Sequence, residues 1–330
     1  MGMVPVSNWK RLLFPFMSAF HTRMIGSTAA VIALAASLGL SACSSRDAAD
    51  TAAPPAAGDC PTAPINVVVS VDQWGDIVRD LGGDCADVTT VLASSSVEPH
   101  EFEPSPADAA TFAKAQLVVV NGVDYDPWAS KFAATSAPKA PVVDAGVVTR
   151  TAAGSNPHLW YDPSAVVAVA DAVTAEFVKL VPEAKAYFDE QRAAFGTSLE
   201  PYDRLLNTIK AGAAGKTYAA TESVFDYTAE YVGLVDKTPP GYQTASANES
   251  DPSPADLDAF RRTLADRQVD VLIYNSQTEG SVPEQIRSAA GAAGVPVVEV
   301  TETVPPGITS FQTWQIDQLT DLAKALGVAQ

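Results

Sequence analysis

Two histidines carry the most chemical information in this sequence. The 330-residue chain has three, of which His21 lies in an N-terminal apolar leader while His100 and His158 lie beyond it. Each of the latter follows a proline in a short polar segment: Val97-Glu98-Pro99-His100-Glu101-Phe102-Glu103-Pro104 and Asn156-Pro157-His158-Leu159-Trp160-Tyr161-Asp162-Pro163. Proline fixes its own φ and stiffens the approach of the backbone to both rings. A neutral imidazole is the commonest metal ligand among side chains, although a lone loop histidine more often serves as a hydrogen-bonding residue. Both segments follow strand-like stretches, and ligands of open α/β sheets collect beyond the C-terminal ends of the strands. The two rings are therefore expected to face one cleft.

The elements that must position them alternate. Residues 65–71 form a β-branched run suited to a buried parallel strand. A helical pattern follows, with Trp74, Ile77, Val78 and Leu81 on one face, closed by Gly82-Gly83. Further strands are expected at 88–92, 117–120 and 141–144, and a helix at 106–115 with Pro106 at its start. Alternation stops at Asp162-Pro163, where helices are expected over 166–180 and 183–211, the second weakened or kinked by Gly196 and Pro201. It resumes with strands at 216–220, 269–274 and 295–300 and helices at 223–231, 255–265, 283–293 and 311–326, with a loop-rich stretch at 232–252. The pattern predicts parallel α/β lobes on either side of a long helix.

Composition narrows the class. Hydrophobic content of 47% with 18% charged residues fits a globular chain with a substantial core. A net charge of -18 repels nucleic acid and anionic lipid headgroups, so neither is an expected partner. The first 42 residues contain no acid; Lys10, Arg11 and Arg23 precede an apolar run over 29–40, too short to span a bilayer. This is the pattern of a secretory signal. It ends in Leu40-Ser41-Ala42-Cys43, which resembles the bacterial lipobox and implies cleavage before Cys43 and lipidation of its thiol. The expected organisation is a signal peptide at 1–42, a lipidated cysteine and tether at 43–63, an N-terminal lobe at 64–181, a linking helix at 182–212 and a C-terminal lobe at 213–330. Cys60 and Cys85 are the cysteines left over, and an isolated pair in an exported chain predicts a disulfide.

The segment 88–128, with Glu98-Pro99-His100-Glu101-Phe102-Glu103-Pro104 and then Asn121-Gly122, resembles the first ligand region of the zinc/manganese-binding solute-binding lipoproteins of ABC importers, the cluster A-I family. The segment 156–163 is similar to the second ligand region, and the resemblance extends over about residues 64–330. It implies two parallel-sheet α/β lobes joined by a single long rigid helix, with one divalent transition-metal ion held in the inter-lobe cleft. It also implies a monomer anchored by lipid to the outer face of the cytoplasmic membrane, serving an ABC permease and its ATPase.

The implied ligands are His100 and His158 from one lobe, Glu222 and Glu302 from the other. Taken alone, Glu222 reads as a helix-start acid favoured by the macrodipole, and Glu302 as a solvated loop acid; Glu299, in mid-strand, is the weaker candidate for the fourth position. Glu98, Glu101 and Glu103 supply a local negative field, with Glu101 placed to orient an imidazole. Asp124 and Asp126 read as turn residues. Two imidazoles and two carboxylates suit Mn2+, Zn2+ or Fe2+ and lack the sulfur that favours Cu+. Glu222 stands where zinc relatives often carry a third histidine, and residues 124–155 contain no histidine-rich loop. Both points lean modestly toward Mn2+, against the Irving–Williams advantage of Zn2+. A metal-dependent hydrolase built on the same ligands is the competing class. Four protein ligands close a site that catalysis needs open, and the sequence contains neither HExxH nor a nucleophile elbow. A surface adhesin is a third class, for which no partner site is legible.

Overall fold

Runs of β-branched residues buried on both faces fix the centre of each lobe. The computed structural model describes residues 59–93, 102–248, 250–278 and 280–329. The expectations for the leader, Cys43, Glu98, His100 and Glu101 lie outside the described residues. Strand β1 (Ile65–Val71) is buried at every position but Asn66. It leads into helix α1 (Asp72–Gly82), whose apolar face sets Trp74, Ile77, Val78 and Leu81 into the core. Then come β2 (Ala86–Leu92), α2 (Pro106–Phe112), β3 (Leu117–Val120), α3 (Pro127–Ser136), β4 (Val142–Asp144) and α4 (Ala145–Thr149). The four strands are parallel in the order β2-β1-β3-β4, with Val67 opposite both Val88 and Leu117.

Three helices follow: α5 (Pro163–Leu180), α6 (Lys185–Ser198) and α7 (Glu200–Ala213). The expected 183–211 helix is thus a rod of two segments meeting at Leu199, which stays in the right-handed helical region. Pro201 has no N–H to return to the preceding turn, which is the physical reason for the break. The ladder survives on either side, with Leu199 N donating to Phe195 O (3.2 Å) and Asp203 N to Leu199 O (2.9 Å). Each half serves one lobe. Phe188 on α6 stacks on Phe177 of α5 at 5.0 Å, and Tyr202 on α7 meets Phe311 of the closing helix at 6.5 Å.

The C-terminal lobe comprises β5 (Thr217–Ala220), α8 (Asp226–Tyr231), β6 (Val235–Asp236), α9 (Pro240–Ala247), α10 (Pro254–Ala265), β7 (Val271–Asn275), α11 (Ser281–Ala293), β8 (Val297–Val300) and α12 (Phe311–Ala325). Its parallel order, β6-β5-β7-β8, repeats that of the first lobe. Two differences from the sequence reading stand out. The stretch 232–252, expected to be loop, contains β6 and α9. Helix α3 is rich in Ala and Ser, with too weak an apolar period to announce itself. The core is continuous across the lobes: Tyr161 packs on Phe225 (5.3 Å) and Trp314 (5.8 Å). Among the described residues, no helix is long and apolar enough to cross a membrane. Cys60 and Cys85 are joined by a disulfide, their Cα atoms 5.1 Å apart.

Candidate metal centre

The parallel strands of both lobes send their C-terminal loops toward one cleft, and the candidate ligands sit on those loops. The turn after β3 prepares the place of His158. Asn121 N and Gly122 N donate to the Asp126 carboxylate at 2.7 and 2.8 Å, so Asp126 closes this turn. Burial pushes the Asp126 carboxyl above its ordinary range. Gly122 has φ +72°, and a Cβ there would run into the Asp144 carboxylate, so glycine is required on both counts. Asp124 accepts from Gly154 N at 3.0 Å. Asn121 then accepts from Trp74 Nε1 (2.9 Å) and donates to the carbonyl of Pro157 (2.9 Å), which fixes the backbone leading into His158.

His158 is 2% exposed. Its ring Nδ1 lies 2.7 Å from Asn156 Oδ1, which also accepts from His158 N at 3.0 Å. Asn156 Nδ2 donates to the Ser223 carbonyl (2.7 Å), so its oxygen must be the end that faces the ring. Nδ1 is therefore the protonated nitrogen, and Nε2 presents its lone pair. Nε2 is buried, makes no hydrogen bond among the described residues, and lies 3.4 Å from Glu302 Oε1. A buried basic nitrogen beside a buried carboxylate is the arrangement that a cation completes.

The C-terminal lobe supplies two acids. Glu222 extends from the end of β5, and its side chain makes no cap to the short helical turn that follows. Glu222 thus stands at a helix start, as the sequence suggests, but its Oε2 accepts from Asn275 Nδ2 (2.7 Å) and Thr278 Oγ1 (2.5 Å) rather than capping that turn. Glu302 follows β8 and is 1% exposed, which overturns the solvated-loop reading. Two glutamines bracket its peptide unit. Gln277 Oε1 accepts from Glu302 N (2.6 Å) and Thr303 N (2.8 Å), and Gln73 Nε2 donates to Glu302 O (2.8 Å) from the other lobe. The Tyr125 hydroxyl, which accepts from Gln73 Nε2 at 3.2 Å, donates to the Glu302 carboxylate. Burial first, and then the charge of Glu302, hold Tyr125 well above the ordinary tyrosine range. One ligand atom each from His158, Glu222 and Glu302 lies within 4.8 Å of the others. His100, the other histidine expected here, lies outside the described residues. Glu299 points elsewhere: half-exposed on β8, it pairs with Arg287 at 2.5 Å. Glu103 is exposed.

Two further acids flank the centre. Burial raises Asp72, at the start of α1, to about 7; the Val304 N–H that it accepts opposes this and nearby Asp76 reinforces it. Burial also raises Asp226 to about 6, although the Tyr218 hydroxyl donates to it at 2.9 Å. Side chains to which the sequence assigned no role (Gln73, Tyr125, Asn156, Asn275, Gln277 and Thr278) hold the candidate ligands in place. Of these only Asn156 carried a signal, as a neighbour of His158 within its motif.

The lobes are tied together beside the centre. Tyr227 Oη donates to Asn156 O (2.8 Å) and Thr228 Oγ1 to Tyr161 O (2.6 Å). Tyr161 Oη lies 2.7 Å from both Thr301 O and Gln318 Oε1.

Known proteins share this architecture. The family model for the periplasmic zinc-uptake complex component A matches residues 67–325. The high-affinity zinc uptake system protein ZnuA of Bacillus subtilis is 25% identical over 247 residues, 69% of this chain and 76% of that protein. The manganese-binding lipoprotein MntA of Halalkalibacterium halodurans is 22% identical over 177 residues, 52% of this chain and 58% of that protein. Among solved structures, the solute-binding protein FpvC of Pseudomonas aeruginosa in complex with Mn2+ superposes with a TM-score of 0.66 at 21% identity, covering 80% of this chain and 98% of that one.

Proposed function

The chain belongs to the periplasmic zinc-uptake complex component A family, and from that premise we propose that it captures one Mn2+ or Zn2+ ion between its lobes and hands it to a membrane permease driven by an ATPase. It does so outside the cytoplasmic membrane, as a monomer held by a lipid on Cys43. The observation that carries this reading is the convergence of His158, Glu222 and Glu302, from loops of both lobes, to within 4.8 Å. His100 is the fourth ligand.

The chemistry suits capture. Nitrogen and carboxylate oxygen accept borderline and hard divalent ions, and two carboxylates offset the 2+ charge. The family consists of binding proteins. Release requires that Glu222 and Glu302 draw away from His158. The hydrogen bonds of Asn156, Tyr161, Thr228 and Gln73 across the cleft oppose this, so the permease must supply the opening work.

The test is equilibrium metal binding by the purified mature protein. One equivalent of Zn2+ or Mn2+ is expected. His158→Ala and Glu302→Gln should each weaken it by more than about 100-fold, beyond the 10–100-fold loss typical of residues that only orient ligands. Unchanged affinity in a His100→Ala/His158→Ala double variant would remove the basis of the assignment.

A further inference from the structure

We propose that Asn275 and Thr278 restrict Glu222 to a single ligand oxygen and so bias the centre toward Zn2+ over Mn2+; this rests on the capture function above. Glu222 Oε2 accepts two hydrogen bonds, from Asn275 Nδ2 at 2.7 Å and Thr278 Oγ1 at 2.5 Å. A carboxylate oxygen has about two lone-pair directions, and these two donors occupy both on Oε2.

The donors are themselves held. Asn275 is 2% exposed. Its Oδ1 accepts from Gln277 N (3.1 Å) and its backbone N donates to Thr221 Oγ1 (3.1 Å). That network fixes which end of the amide faces Glu222, because a flipped amide would set oxygen against oxygen. An ion chelated by both oxygens of Glu222 would have to displace two short hydrogen bonds and leave a buried amide donor without an acceptor, which is costly. The ion therefore meets Oε1.

Coordination number follows from this. Zn2+ is satisfied by about four ligand atoms in a tetrahedron, whereas Mn2+ favours oxygen-rich octahedral sites, for which a chelating carboxylate is an economical source of the extra atom. Withholding the second oxygen of Glu222 penalises Mn2+ more than Zn2+. The carboxylate at this position alone leans toward Mn2+; its hydrogen-bonded environment reverses the lean.

The experiment measures Zn2+ and Mn2+ affinities by chelator competition in the wild-type protein and in Thr278→Val, Thr278→Ser and Asn275→Ala/Thr278→Val variants. It is paired with X-ray absorption at the zinc edge. Freeing Oε2 should raise Mn2+ affinity relative to Zn2+ by about 10-fold, the lower end of what orienting residues contribute, and should raise the zinc coordination number. Thr278→Ser keeps the hydroxyl and should keep the wild-type ratio. The single valine variant, which leaves Asn275 in place, still decides the matter if the double variant fails to fold. Equal loss of both metals would assign these residues a merely structural role and overturn the proposal, as would two Glu222 oxygens on the ion in the wild type. If the wild type binds neither metal, the capture reading falls too; if it binds both and the ratio does not move, only this inference falls.

Discussion

At the residue scale, amides and hydroxyls hold each of the described candidate ligands of the centre in place. His158 has a defined tautomer because Asn156 is oriented by a carbonyl of the other lobe. Asp72 shows the cost of gathering acids in a dry place. Its carboxyl rises from 3.8 to about 7, mainly through burial. Between those values the folded chain keeps a proton that the unfolded chain has released, so this group's contribution to stability falls as pH rises through that window. Asp72→Asn keeps an acceptor for Val304 N and removes the slope. In urea unfolding it should match the wild type below about pH 4 and be the more stable above pH 7, by at most about 4 kcal/mol. A variant less stable than the wild type at pH 8 would refute this. The candidate ligands were picked out through the family resemblance of the segments in which they sit; taken alone, Glu222 and Glu302 read otherwise. Their supports were not legible. Gln73 reaches a peptide 229 positions away, and no local pattern encodes such a contact.

At the element scale, the strands were the most legible. Runs such as 65–71 and 117–120 are continuous and β-branched, and the observed bounds coincide with them. The helices α3 and α9 were missed because small residues give almost no apolar period; they form against a lobe already built. The kink at Leu199 was legible as Pro201, since a missing N–H is a property of sequence alone. The disulfide sets a prediction at this scale. It spans 25 positions, and closing such a loop stabilises by about 3 kcal/mol in the chain-entropy model. A Cys60→Ser/Cys85→Ser variant should lose about that much in denaturant unfolding. Its metal affinity should be unchanged, because the bridge lies at the strand ends remote from the centre. A large fall in affinity would show that the sheet transmits the loss.

At the scale of the whole molecule, two lobes of the same strand order share one large hydrophobic cluster that runs through both, and each has a smaller one of its own. The contacts of Tyr161 with Phe225 and Trp314 cross the boundary between them. The lobes should therefore melt together, in one calorimetric transition whose van't Hoff and calorimetric enthalpies agree. Metal at about 100 times its dissociation constant should add about 2.7 kcal/mol to the whole transition. Two resolved transitions, with only one moved by metal, would show that the lobes unfold independently.

The bridge at Cys60 has a mechanical meaning as well. Cys60 precedes β1, and Cys85 immediately precedes β2, its neighbour in the sheet. Tension applied through the chain upstream of Cys60 therefore reaches two adjacent strands through a covalent bond. The two strands share it, rather than β1 bearing it alone. It also enters at the strand ends opposite the cleft, about 20 Å of extended chain from the loops that face it. The disulfide and the loops of the first lobe that face the cleft thus lie at opposite ends of that lobe's sheet.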